Sequence, residues 1–182
     1  VTGVQTCALP IYKIAVFEMG ISSRGDMNDL VNIVKPTFGL ITCIGHSHMA
    51  GLGVLTDVAE EKRKIFKYFK EDNIGIINGD QALLAQIGYT HPVIKFGSKT
   101  TNQIQARKVR IANSKINFTL KIYQEKFSDI VIEGNHEGVV NNALGAVAAA
   151  CLLDIPHDAI VRGIKKPVSL PGRFQFKNIS RS

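Results

Sequence analysis

Residues 38–80 read FGLITCIGHSHMAGLGVLTDVAEEKRKIFKYFKEDNIGIINGD, and the change of period inside this stretch decides the fold. Residues 38–44 are a mostly apolar run with β-branched and aromatic side chains, which predicts a strand. Residues 57–70 then space Val58, Ile65, Phe66 and Phe69 at helical intervals, and residues 74–77 return to an apolar run. Strand, amphipathic helix and strand make a βαβ unit. Strands without polar alternation belong to a parallel sheet covered on both faces. Working outward toward the N-terminus, residues 14–17 predict another strand, and Met27, Leu30, Val31 and Val34 predict a helix ended by Lys35-Pro36. Toward the C-terminus, residues 81–87 predict a short helix and 93–96 a strand. From 104 to 132 the period becomes two, as in Ile116, Phe118, Leu120 and Ile122, which predicts a small antiparallel insert. An Ala-rich buried helix over 139–153 and a helix over 158–164 follow, and 167–172 reads as a linker. The expected fold class is α/β: a mostly parallel sheet flanked by helices, with a small antiparallel β insert.

Composition supports an ordinary globular domain. The chain has 182 residues, 45% of them apolar and 20% charged, with 16 Gly against 6 Pro, which is neither disordered nor fibrous in character. The longest uninterrupted apolar or glycine run, 143–153, is about half the roughly 20 residues that a membrane-spanning helix needs. Twenty-two basic side chains against 15 acidic ones give a net charge of +7, but the cations are dispersed, aromatics make up 7% and Trp is absent. A nucleic-acid-binding surface would interleave a basic stretch with stacking platforms, so polyanionic small substrates account for the charge better. A basic, non-catalytic nucleic-acid-binding α/β module is the alternative of another class. Cys7, Cys43 and Cys151 lack metal-ligand spacing and are too few for a disulfide framework, which points to a reduced, cytoplasmic protein. Residues 1–11 (VTGVQTCALPI) carry no charge and continue into no periodic pattern, so they read as a non-native, adapter-derived segment rather than a signal peptide. The expected organisation is that segment, one domain over 12–166, and a linker over 167–182 toward a missing domain.

In open parallel sheets, ligands bind beyond the carboxyl ends of the strands. Three predicted strands finish in functional residue types: Glu18 after the first, Gly45-His46-Ser47-His48 after the second, and Asn78-Gly79-Asp80 after the third. Stepping 100° per residue along the helix from Asp57 puts Lys62 in the middle of the apolar stripe, while Arg63, Lys64 and Lys67 point away. A lysine on a buried face must snorkel, pair with an acid or lose its charge. The expectation is that Lys62 faces a polar cavity beside Glu18 and His48, in a metal and phosphate site.

These residues resemble a family. Glu18-Met19-Gly20, Ile41-Thr42-Cys43-Ile44-Gly45 with His48 and Gly51-Leu52-Gly53, Lys62 with Ile65-Phe66, and Asn78-Gly79-Asp80 are similar to the central ATPase domain of the Mur ligases. Gly134-Asn135-His136, Asn142-Ala143-Leu144 and Pro171-Gly172-Arg173 follow in the same order. The two acid-bearing triplets most resemble the branch that joins D-alanyl-D-alanine to UDP-N-acetylmuramoyl-tripeptide, and folylpolyglutamate synthase is the nearest relative to exclude. The resemblance implies ATP and magnesium as cofactors and an acyl-phosphate intermediate attacked by the incoming amine. It implies Glu18 and His48 as magnesium ligands, and Lys62 as a lysine that becomes carbamylated and thereby anionic, with Lys62 and His48 in catalysis. It further implies Asn78 and Asp80 around adenine and ribose, Asn142 beside the base and Arg173 on the phosphates. A cytoplasmic, monomeric enzyme without nucleic-acid partners is expected, with the present chain inactive by itself.

The departures are specific. A glycine-rich phosphate loop is missing, and Gly97-Ser98-Lys99-Thr100 lacks its Gly-Lys pair and follows a late strand. In the family that loop precedes the equivalent of Tyr12. Cys43 stands where the family has asparagine, His46 where a small residue or proline is usual, Ala50 where an acid is common and Glu137 where asparagine is. The interval from Gly134 to Asn142 is one or two residues long for the pattern. His46 and His48 could form a zinc pair, but no third ligand stands at suitable spacing.

Overall fold

The computed structural model describes residues 12–46 and 49–166, without the side chains of Met49 and Ala50. In chain order the elements are α1 (Asp26–Val34), β1 (Phe38–Ile41), α2 (Met49–Leu52), α3 (Leu55–Arg63), β2 (Ile74–Asn78), α4 (Ala82–Ala85), β3 (Val93–Gly97), β4 (Ile104–Ala112), β5 (Lys115–Ile122), β6 (Glu125–Glu133), α5 (Glu137–Leu152) and α6 (His157–Ile164). The six strands form one sheet in sequence order. β1 to β4 are parallel, and β5 and β6 turn back antiparallel, so β4 joins the parallel half to the insert. The α/β fold class and the antiparallel insert are as the periodicities predict.

Alternation along the strands sorts side chains between two cores. Ile76 and Phe96 join Leu144 and Val147 of α5 on one face, while Ile41 and Ile77 join Met27, Val31 and Val58 from α1 and α3 on the other. At about 25 cal/mol per Å2 of apolar surface, these two faces supply the main driving force for folding. α1 stops where expected: Lys35 adopts a left-handed φ of 46° and its N–H closes on the Val31 carbonyl before Pro36.

Several expected elements are corrected. Residues 14–17 form no strand, and Val16 is 92% exposed. A strand exists only through its ladder, and among the described residues no strand pairs with this segment. β1 ends at Ile41 instead of running to 44, because both backbone groups of Ile44 are taken by one side chain. Gln81 Nε2 donates to the Ile44 carbonyl at 2.8 Å, and the Ile44 N–H donates to Gln81 Oε1 at 2.7 Å. The helix expected over 57–70 is α-helical only over Leu55–Arg63 and tightens into a 3-10 turn over Lys64–Phe66. Tightening of this kind is a usual way to satisfy the last carbonyls of a helix. α4 keeps four residues of the seven expected over 81–87.

Candidate active site

The carboxyl rim of the parallel strands is built from three chain segments: Thr42 and Cys43 after β1, Asn78 closing β2 and Gly97 closing β3. Lys62, in the last turn of α3, is half-buried and extends its Nζ to donate to the Cys43 carbonyl at 2.9 Å. The amine therefore turns toward the rim, as its place on the apolar stripe predicts. Its neighbours do not all point away. Arg63 Nη1 donates to the Leu83 carbonyl at 2.9 Å, and Lys64 Nζ pairs with Glu61 at 2.6 Å.

Glu61 is the functional-looking residue that sequence reasoning missed. It is only 2% exposed and accepts from the N–H groups of Gly25 at 3.0 Å and Met27 at 3.1 Å. Its carboxylate thus caps α1 from a different helix. Burial pushes its pKa up, but Lys64 and the two N–H groups outweigh that and hold the carboxyl below its ordinary value. The signal was present: Glu61 follows Val58 by three and precedes Ile65 by four, which is a position on the same stripe.

Beside β1, which is the edge strand among the described residues, runs a cleft of about 990 Å3 that Glu18, Thr42, Lys62 and Asn142 line together. Glu18 is exposed to it from the segment 13–20, which also lines the cleft. The cleft continues from this rim to Pro36 and Leu153 at the opposite end of β1, with Phe38, Leu40 and Ile76 along the way. Three of the expected site residues thus meet on one surface. His48 and Arg173 lie outside the described residues.

Asn78 and Asp80 are occupied elsewhere. Asn78 is buried, its Nδ2 reaching the Thr42 carbonyl at 3.4 Å and its Oδ1 accepting from the Asp80 N–H at 3.0 Å. Asp80 binds the loop after β3. It accepts from the Ser98 N–H at 2.5 Å, the Ser98 hydroxyl at 2.8 Å, the Lys99 N–H at 3.0 Å and Asn102 Nδ2 at 2.9 Å. Burial raises the Asp80 pKa, yet these donors together leave it below the ordinary carboxylate value. Gly97 permits the arrangement. Its φ of 144° is unfavourable for an L side chain, and a Cβ there would sit 2.5 Å from the Asp80 carboxyl carbon. Residues 97–100 therefore do not act as a phosphate loop, because the N–H groups of Ser98 and Lys99 already serve an internal carboxylate. Asn142 borders the large cleft, whereas its neighbour Asn141 borders a smaller one together with Asp80. The adenine-side residues expected to act together are in this way divided between two surfaces. His136 caps α5, its Nδ1 accepting from the Gly138 N–H at 3.1 Å. His46 is exposed, and among the described residues no group of three His, Cys, Asp or Glu could hold a metal ion.

Residues 5–150 match the profile of the Mur ligase middle domain. The chain belongs to the Mur ligase family. This Mur ligase domain is similar to the UDP-N-acetylmuramoyl-tripeptide--D-alanyl-D-alanine ligase of Bacillus subtilis (strain 168), at 36% identity over 152 residues. The match covers 84% of the chain and 32% of that relative, so the chain spans about a third of its length. Its fold is that of MurF from Acinetobacter baumannii, with a TM-score of 0.79 at 23% identity over 91% of this chain and 37% of that one. MurF ligase from Thermotoga maritima, solved in complex with ADP, superposes with a TM-score of 0.76 at 20% identity, over 88% of this chain and 37% of that one. In this Mur ligase domain Glu18, Lys62 and Asn142 line one cleft.

Proposed function

We propose that the chain is part of an ATP-dependent amide-bond ligase that joins D-alanyl-D-alanine to UDP-N-acetylmuramoyl-tripeptide, a reaction of peptidoglycan precursor synthesis in the cytoplasm. The observation that carries the reading is the meeting of Glu18 and Lys62 on one cleft at the carboxyl rim of a parallel sheet. The kinship with the Bacillus subtilis ligase supports the substrate assignment.

Magnesium and ATP would supply charge neutralisation and the transferable phosphoryl group. The donor set fits them. Glu18 offers an exposed carboxylate, the ligand type a hard cation takes. Lys62 makes no ion pair among the described residues and reaches only a carbonyl, so its amine is open to carbamylation, which would add a second anionic oxygen donor. His48 would complete the set, and Asn142 and Arg173 would flank the nucleotide. Asp80 would act indirectly, by holding the loop 97–102 in place, and Asn78 by fixing Thr42 at the cleft. Among the described residues the edge of β1 is unpaired, and the groove beside it has the apolar stretch of Phe38, Leu40 and Ile76 that one more parallel strand needs; we place the phosphate-binding loop of the parent enzyme on such a strand. The isolated chain would then lack turnover.

The test is made in the intact parent enzyme, by measuring ADP release that depends on both UDP-N-acetylmuramoyl-tripeptide and D-alanyl-D-alanine. Lys62→Ala should abolish turnover, with partial rescue by a short-chain carboxylic acid. Unchanged activity of that variant would remove the carbamate. Turnover with a folate and glutamate instead would move the protein to the folylpolyglutamate synthases, and binding to polynucleotides that falls steeply with salt would replace the ligase reading altogether.

A further inference from the structure

A second cleft, of about 410 Å3, lies against another face of α5 and shares no lining residue with the first. Its floor is apolar, formed by Val109, Val140 and Leu144. One wall is the loop 97–102, which Asp80 holds through four hydrogen bonds, so this wall is organised before any ligand arrives.

Beside this loop the cleft is cationic for a structural reason. Arg107 and Lys108 are consecutive residues of β4, and in a regular strand they would point to opposite faces. The ladder to β5 slips between Arg107 and Arg110, and Lys108 takes a φ of 55°, with the result that both residues line the same cleft. A bulge that re-aims a side chain, at a non-glycine residue held in the left-handed region, is a feature that concentrates at functional sites. Arg107 is also fixed at the rim, its Nη1 donating to the Ser98 carbonyl at 2.8 Å. Across the cleft, the first turns of α5 present the Glu137 carboxylate and the Asn141 amide.

Two cations on β4 and a carboxylate and an amide on α5, with the Asp80 carboxylate already taken by its own loop, describe a ligand that carries both an oxyanion and hydroxyls. We propose that this cleft binds a small phosphorylated sugar, its phosphate on Arg107 and Lys108 and its hydroxyls on Glu137 and Asn141. The site does not depend on the ligase reading.

The test is a titration of the 182-residue chain with ribose 5-phosphate, followed by amide chemical shifts. Shifts are expected at Ser98, Lys108, Glu137 and Asn141 and not at Glu18, Lys62 or Asn142. Arg107→Ala should weaken binding about tenfold, the loss of one charge-assisted bidentate contact. Inorganic phosphate should bind more weakly than the sugar phosphate. Unshifted amides elsewhere in the sheet would show that the variant is folded, and Lys108→Ala, also at an exposed position, repeats the measurement if it is not. Shifts confined to the Glu18 cleft, equal affinity in both variants, or phosphate binding as tightly as the sugar would each overturn the proposal. Absence of ligase activity in the parent would leave these shifts as they are.

Discussion

Gly39 of β1 and Gly75 of β2 are paired across the ladder, and together they leave the floor on which an aromatic cluster rests. A Cβ on Gly39 would lie 2.8 Å from Phe66 Cε1, and one on Gly75 2.9 Å from His91 Nε2. Phe66, Phe69, Tyr89 and His91 pack there with ring centroids 4.9 to 5.6 Å apart, in tilted and edge-to-face arrangements. The strand glycines thus make space, at a cost in intrinsic strand preference that the aromatic packing offsets.

Gly75→Ala should therefore lower stability by about 1–3 kcal/mol, since overfilling a packed site forces rotamer and backbone shifts. Gly163→Ala, in α6 with nothing within 4 Å of the new methyl, should instead be neutral or stabilising by up to about 1 kcal/mol. Urea unfolding of both variants checks the contrast, and equal effects would remove the steric argument.

His91 is a buried member of this cluster, and its Nε2 finds no hydrogen-bond partner among the described residues. Burial pushes its pKa below the ordinary value. The unfolded chain, with histidine near its usual 6.5, therefore binds more protons than the folded one as the pH falls. This contribution is fully present above that value and is lost as the pH drops through it toward the folded pKa. His91→Phe should flatten the stability profile below about pH 6.5. Unfolding free energies of both proteins across that range are the measurement, and parallel curves would show that His91 does not titrate on unfolding.

Glu61→Gln keeps the shape but removes the charge that serves Lys64 and the start of α1. A loss of about 1–3 kcal/mol is expected, because Gly25 and Met27 would face a weaker acceptor and Lys64 would lose its ion pair. Amide exchange should report it locally, as faster exchange at Gly25 and Met27. Protection unchanged at both would count against the cap.

Asp80→Asn should release the loop 97–102 at a cost of about 1–2 kcal/mol, since an amide cannot accept from all four donors. Exchange at the Ser98 and Lys99 amides should rise while β5 and β6 stay protected. Slow exchange retained at both amides would show that the loop stands without the carboxylate.

The alternation of periods in residues 38–80 was enough to place a parallel sheet between helices, and the switch to period two was enough to place the insert. The direction of Lys62 was legible too, since a helix turns a fixed angle per residue. These are local properties, decided by covalent geometry and by which side chains avoid water. What a polar atom bonds to is not local. Glu61 is buried because Gly25 and Met27, more than thirty positions away, bring it two N–H groups. Asp80 is occupied because a loop eighteen residues later wraps it. Residues 14–17 have the composition of a strand but, among the described residues, no neighbouring strand, and without a ladder composition does not suffice. Periodicity determined which faces are apolar. The tertiary structure decided which polar groups are satisfied, which residues line each cleft and which strands pair, because each of those depends on segments that meet only after the chain has folded.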